Sequence, residues 1–149
     1  MAVFVTGHHA DPVFTPTGAG SARYPHLLDA DNLSDAASTS SRLERDDSGR
    51  TPLPLLRIDT TSSAPAATCA RRDRQAIAFP DSPRLLAGLI ADAVRVGVAS
   101  GAVITVGGRP TRSHRLRDEI ADHLLLAGFD VAFDVPGWAV EDTSLQPSS

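Results

Sequence analysis

Apolar residues are concentrated in the second half of the chain, and their spacing there predicts a helix followed by a buried strand. From Pro83 to Val96 they recur at intervals of three and four residues, which is the pattern of an amphipathic helix. Ser82 can cap this helix, and Gly101 is expected to end it. Ala102–Val106 is apolar at nearly every position, as expected of a strand that is covered on both faces.

A second helix and a second strand follow. Helical spacing of leucine and isoleucine predicts a helix from about Ser113 to Ala127, which Gly128 closes. The alternation of apolar and polar residues from Phe129 to Val135 predicts a half-buried strand. A strand, a turn, a helix and a strand in this order favour parallel pairing with a right-handed connection. The expected fold is therefore a small α/β or α+β domain with two or three layers.

The first half of the chain is rich in proline, serine and threonine and poorer in apolar residues. Because such segments bury little apolar surface, most of this half is expected to form loops. The predicted elements are strands over 2–6, 53–60 and 75–79, a short helix over about 24–37, a loop over 34–51 and a linker over 61–68. Pro54 is expected to mark the start of its strand or an edge of the sheet.

These patterns divide the chain into three parts. Residues 1–74 are predicted to form a loop-rich, partly extended half with one or two strands, residues 75–138 a compact α/β core, and residues 139–149 a polar tail. A length of 149 residues is enough for one domain with a core and too short for two ordinary ones.

Charge and cysteine content narrow the function classes. The net charge of −4 gives no basic field for nucleic acid, so a nucleic-acid partner is not favoured. All 14 basic residues are arginine, which indicates a GC-rich genome and supplies planar cations suited to phosphate or carboxylate. Cys69 is the only cysteine, so neither an internal disulfide nor a cysteine-based metal cluster is expected. With no charged leader and no apolar run long enough for a bilayer, the expected location is the cytoplasm or a particle assembled in it, and a membrane partner is not expected.

The turn between the strand at 102–106 and the following helix is the best candidate for a binding site. Glycines allow close approach of the backbone, and the N-terminus of the helix offers free N–H groups and a partial positive charge. Phosphate or carboxylate would be well held there. The predicted anion-binding residues are Gly107, Gly108, Arg109, Arg112, Ser113 and Arg115.

The same helix has an unusual charge distribution. Its start carries four arginines, including Arg117, with no acid among them, whereas the stretch from Asp118 to Asp142, which continues past the end of the helix, carries seven acids and no arginine. Cations at a helix N-terminus cost some stability. Either a bound anion or a neighbouring acid, Asp81 or Asp134, would compensate. The turn lacks the third glycine of the dinucleotide fingerprint, and the chain has no lysine for a phosphate-binding P-loop.

Other candidate chemistry has weaker support. His8, His9 and Asp11 could bind a metal with His26 or Asp29, but their spacing matches no known pattern, and neither a metal nor a cofactor is predicted. A second pair, Glu119 and His123, shares one helix face, where a surface salt bridge is favoured over acid–base chemistry. No catalytic residue can be assigned, and a protein without enzymatic activity is favoured over an enzyme.

Two functions remain open. The first is a ligand-binding domain that holds a phosphate-bearing molecule, such as a nucleotide or a nucleic-acid backbone, at the turn from Gly107 to Ser113. The second is a non-catalytic subunit of a larger assembly, such as a virion or multiprotein particle. It would dock onto a protein partner, or onto another copy of itself, through the extended residues 12–68.

Overall fold

The computed structural model describes residues 1–7, 12–18, 22–43, 49–60, 76–106 and 110–141. The predicted loop at 34–51 and linker at 61–68 therefore lie partly or wholly outside the described residues. The strands are β1 (Ala2–Gly7), β2 (Val13–Pro16), β3 (Arg23–Leu28), β4 (Thr51–Asp59), β5 (Ile77–Ala78), β6 (Gly101–Val106) and β7 (Trp138–Glu141). The helices are α1 (Leu33–Ser41), α2 (Pro83–Arg95) and α3 (Pro110–Leu126).

The central sheet is parallel throughout, with the strand order β1-β6-β4-β3. The short strand β5 pairs with the end of β4, beyond the point where β3 stops. A separate antiparallel ribbon consists of β2 and β7. The expectation of a small α/β domain is confirmed, because a mostly parallel sheet is combined with helices that connect its strands.

The sheet is covered differently on its two sides. Alternate side chains of β1, β4 and β6 point to opposite faces. One set packs with the helices, which defines the helix face, and it includes Val3, Leu56, Ile58 and Ile104. The other set packs with the ribbon, which defines the ribbon face, and it includes Ala2, Phe4, Leu55 and Val103. The result is three layers, and the core draws on both halves of the chain.

The first half contains more regular structure than its composition predicts. The helix expected over 24–37 is wrong in its first part, because β3 occupies residues 23–28 and pairs with β4. The loop expected from residue 34 is also wrong, since α1 continues to Ser41. Asn32 caps this helix by accepting a hydrogen bond of 2.8 Å from the Asp35 N–H, and Ala36 is its buried anchor. Pairing with a distant strand and a single cap thus outweigh local composition.

Pro54 does not mark a sheet edge or the start of a strand, because β4 is paired on both sides. The carbonyl of Pro54 accepts a hydrogen bond of 2.7 Å from the Ser100 N–H, which shows that this residue's backbone groups face β6. Pairing with β6 begins only at Leu55. An N–H group at residue 54 would point to the side of β6, where strand pairing has not yet begun. Its absence in proline therefore costs no hydrogen bond to β6, and the hydrogen bonds between β4 and β3 are unaffected.

The strand expected over 129–135 is also wrong. Ala132 makes one parallel bridge to Ala2 at the outer edge of β1, and Val135 makes one bridge to Trp138. The unit predicted as strand, turn, helix and strand therefore ends in isolated bridges. A turn with Gly137 at φ 83° redirects the chain, so the next strand, β7, joins the ribbon instead. The indole N–H of Trp138 then donates to the Arg23 carbonyl at 2.8 Å, which ties the ribbon to β3.

Two glycines near the junction of α2 and β6 have separate roles. The helix ends before Gly97, which has φ 80°, and not at Gly101 as expected. Gly101 instead begins β6, between β1 and β4, where a Cβ atom would overlap the carbonyl oxygen of Ala2. The close approach of two strands therefore explains the glycine at residue 101.

Candidate functional site

The carboxyl edge of the sheet contains a point where neighbouring strands lead to opposite faces. β1 and β6 pair along their whole length, from Ala2 opposite Gly101 to Gly7 opposite Val106. The next element after β1 is β2, in the ribbon, whereas the next element after β6 is α3, on the helix face. Parallel sheets bind ligands in the crevice that such divergence creates. This edge is therefore the candidate site.

The first turn of α3 lies at this edge and includes two of the predicted anion-binding residues. The helix begins at Pro110, three residues earlier than expected, so Arg112 and Ser113 belong to the helix and not to the turn before it. Ser113 is only 4% exposed and lies on the same helix face as Leu116, towards the sheet. The other part of the predicted site, Gly107, Gly108 and Arg109, lies outside the described residues.

Arg112 forms an ion pair with Asp81, which immediately precedes the N-cap of α2. The N-cap is Ser82, whose hydroxyl oxygen accepts a hydrogen bond of 3.4 Å from the Leu85 N–H. No acid occurs in the first turn of α3 itself. Of the two neighbouring acids considered from the sequence, Asp81 supplies the counter-charge. The guanidinium nevertheless remains accessible, because the Arg112 side chain is 58% exposed.

The next two arginines of α3 are directed elsewhere. Arg115 pairs with Glu119 at 3.2 Å, one turn further along the helix and away from the sheet edge. Arg117 lies over the ring of Phe133 at 4.6 Å. Arg112, Ser113 and Arg115 thus do not converge on one point. Among the arginines of α3, only Arg112 pairs with an acid at the start of another helix.

A row of polar side chains crosses the ribbon face at the same carboxyl edge. Thr6, Thr105 and Asp59 are register partners on β1, β6 and β4, and we call them the hydroxyl row. By alternation they share the ribbon face with Phe4, Val103 and Leu55. Thr6 is 1% exposed and Thr105 is 5% exposed. The Thr6 hydroxyl forms no hydrogen bond within the described part of the protein.

A charged pair adjoins this row. Arg57 is two residues before Asp59 on β4, and its guanidinium lies 2.8 Å from a carboxylate oxygen of Asp29, just after the end of β3. The Arg57 side chain is only 11% exposed. Sequence reasoning missed both the row and this pair. The available signal was the alternation of Leu55, Arg57 and Asp59, which places polar groups on one face as the strand approaches its end.

Metal and acid–base chemistry gain no support from the described residues. Among them, no group of three or more potential ligands is close enough to hold a metal ion. His8, His9 and Asp11 lie outside the described residues. Glu119 pairs with Arg115, and His123 instead lines an open cleft of about 220 Å³ between α2 and α3.

No protein-family model, curated protein or solved structure matches this chain. In the part of the chain that the structure describes, none of the helices has both the length and the apolar character needed to cross a membrane.

Proposed function

We propose that this protein is a small α/β binding domain that holds a phosphate-bearing small molecule at the carboxyl edge of its sheet. The observation that carries the proposal is the divergence of β1 and β6, with the first turn of α3 beside it. The first N–H groups of a helix have no partner within the helix, and the helix dipole adds a partial positive charge. Both features favour a phosphate group.

Arg112 is the side chain that would supply the cation. Its guanidinium lies beside Asp81 at the start of α3, and the exposure of the Arg112 side chain leaves a face open to a ligand. Arginine suits this role because its planar fork can donate two hydrogen bonds to one phosphate. We leave Arg115 out of the site, since it pairs with Glu119 further along the helix.

A small molecule is favoured over a nucleic-acid backbone. The chain carries a net charge of −4, and α3 becomes acidic from Asp118 onward. A long polyanion needs several phosphate contacts on a basic surface, whereas one phosphate needs a single cation and a helix start. We assign no reaction to this site.

The proposal is tested by isothermal titration calorimetry with inorganic phosphate and pyrophosphate. We expect binding to the wild-type chain, and a loss of about tenfold in affinity for Arg112→Ala, as is typical when a charge-assisted hydrogen bond is removed. Arg115→Ala is the matched control, because it makes the same charge change one turn further along and should leave affinity unchanged.

Asp81→Asn tests whether phosphate binding requires the Arg112 cation itself or the ion pair that this cation forms. This variant breaks the same ion pair but keeps the cation, so affinity should be retained or increased. Absence of binding at millimolar ligand would contradict the proposal. So would an equal loss in Arg112→Ala and Arg115→Ala, or a loss in Asp81→Asn as large as that in Arg112→Ala.

The alternative function, docking into a larger assembly through residues 12–68, has less support. The described parts of this half supply β3, α1 and β4, and Leu28, Ala36 and Leu55 from these elements are buried in the core. Segments that fill the core of their own domain cannot at the same time wrap around a partner. We keep this function as a hypothesis that proteolysis can test.

A further inference from the structure

β3 is the outermost strand of the parallel sheet, and among the described residues only β4 lies beside it. We call the side of this strand that faces away from β4 the outer side of β3. An uncovered strand at the end of a sheet normally offers a row of unpaired N–H and C=O groups, to which a strand of another chain can pair. Whether β3 can accept such a strand depends on the backbone groups that it presents on its outer side.

Alternation along the strand shows which residues these are. The Ala22 carbonyl accepts a hydrogen bond of 2.8 Å from the Thr51 N–H, so the backbone of residue 22 faces β4. Pairing with β4 is regular along the whole of β3, and successive residues of a paired strand direct their backbone groups to alternate sides. The residues that face the outer side are therefore Arg23, Pro25 and Leu27.

Two of these three residues cannot pair fully with a further strand. Pro25 has no N–H group to donate. The Arg23 carbonyl already accepts the indole N–H of Trp138 at 2.8 Å, so the indole lies where a further strand would place its own N–H group. Trp138 is held there because β7 pairs with β2 and the Arg50 guanidinium lies 5.3 Å from the centre of the indole ring. Within the described residues, only Leu27 of the three offers both a donor and an acceptor.

The opposite end of the sheet is covered in a different way. The Val3 N–H donates to the Ala132 carbonyl at 2.9 Å, and the Ala132 N–H donates to the Met1 carbonyl at 2.8 Å. The outer strand there, β1, thus pairs with the chain's own backbone. Since β3 has no such partner strand among the described residues, its protection depends on Pro25 and Trp138.

We infer that Pro25 and Trp138 prevent β3 from pairing with a strand of a second copy of this chain. One residue removes a donor, and the other occupies an acceptor together with the space beside it. A second copy is the relevant partner, because it carries the same six-residue strand wherever the protein is present. Any assembly of this protein, including the docking function considered above, must then use a surface other than the outer side of β3.

The test restores both backbone groups. Pro25→Val adds an N–H group and suits an extended strand. Trp138→Phe keeps an aromatic ring beside Arg50 but releases the Arg23 carbonyl. In analytical ultracentrifugation, we expect the double variant to reach twice the mass of the wild-type protein as its concentration is raised, and each single variant to associate more weakly. A double variant that is folded and keeps the wild-type mass would overturn the inference.

Pro54→Val is the matched control. It makes the same substitution at a half-buried proline of the neighbouring strand, but the new N–H group faces the side of β6. We expect this variant to keep the wild-type mass. If it associated as strongly as Pro25→Val, loss of a strand proline would be sufficient whatever its direction, and the inference would be wrong.

Amide hydrogen exchange identifies the surface that associates. The Leu27 N–H faces the outer side and should exchange readily in the wild-type protein, whereas pairing with a second β3 should protect it in the double variant at high concentration. The Leu28 N–H faces β4 by the same alternation, so its protection reports that the sheet is intact. Association that leaves Leu27 unprotected would overturn the inference, since another surface would then be responsible. Should the double variant lose protection at Leu28, Pro25→Val alone must associate, and its failure to do so would equally overturn the inference.

Discussion

Arg112 in the first turn of α3 forms an ion pair with Asp81, which lies one residue before the N-cap of α2. The pair links the starts of two neighbouring helices at the carboxyl edge of the sheet. The negative charge of Asp81 is favourable at both helix N-termini, whereas the positive charge of Arg112 is unfavourable at the start of its own helix. The two partners therefore contribute unequally to stability.

The first prediction follows from this asymmetry. Asp81→Asn should lower the free energy of unfolding by about 1 kcal/mol, because it removes a favourable charge from two helix starts and leaves Arg112 uncompensated. Arg112→Ala should cost less, about 0.5 kcal/mol or below, because it also removes the unfavourable charge and introduces a better helix former. Urea unfolding of both variants measures the difference.

A double-mutant cycle with Asp81→Asn and Arg112→Ala isolates the pair itself. Because the Arg112 side chain is 58% exposed, solvent screens the interaction, and we expect a coupling of about 0.5 kcal/mol. A coupling indistinguishable from zero, or a larger cost for Arg112→Ala than for Asp81→Asn, would show that the pair is not the counter-charge of α3.

The second prediction concerns the packing of β1 against β6. Gly101→Ala should destabilise the protein by about 3 kcal/mol, since the new methyl group overlaps the carbonyl oxygen of Ala2 and the backbone of a central strand has little room to shift. Gly88→Ala is the matched control. Gly88 lies on the exposed side of α2 with no atom within 4 Å of a new Cβ, so the change should stabilise by about 0.5–1 kcal/mol.

Opposite signs for these two glycine variants in thermal or urea unfolding would support the close approach of β1 and β6. If Gly101→Ala proved as stable as the parent protein, the two strands could not be as close at that residue as the structure places them.

The sequence predicted those helices and strands that are defined by residues within the element itself. The helical spacing after Ser82 and the apolar run at 102–106 predicted α2 and β6 to within a few residues, because these segments carry their caps and their apolar faces within themselves. β3 was missed because its stability comes from pairing with β4, and β7 because it comes from pairing with β2. Neither pairing produces a recognisable pattern in the sequence of the strand itself.

The candidate site could be predicted only in part, for the same reason. Four arginines around the start of a helix were visible in the sequence, and Asp81 was among the acids considered as their counter-charge. The choice between Asp81 and Asp134 required the packing of α2 beside α3. The hydroxyl row depends on the alignment of three strands that are distant in sequence, so the alternation within β4 could indicate Asp59 but not its alignment with Thr105 and Thr6.

The third prediction distinguishes a closed domain from a chain that wraps a partner through residues 12–68. Trypsin cleaves after arginine, and the structure places two arginines of this region in contrasting settings. Arg57 lies within β4, paired on both sides and 11% exposed at its side chain. Arg42 is exposed at the C-terminal end of α1, where helix ends fray. Cleavage requires local unfolding, which costs most in a central strand.

Limited proteolysis followed by mass spectrometry should therefore show early cleavage after Arg42 and survival of the bond after Arg57 until the whole domain unfolds. Early cleavage after Arg57, with a resistant fragment covering residues 76–138, would mean that the first half is separable from the core. That outcome would favour docking into a larger assembly. Survival of β4 would instead keep the hydroxyl row intact, because one of its three residues, Asp59, is carried by that strand.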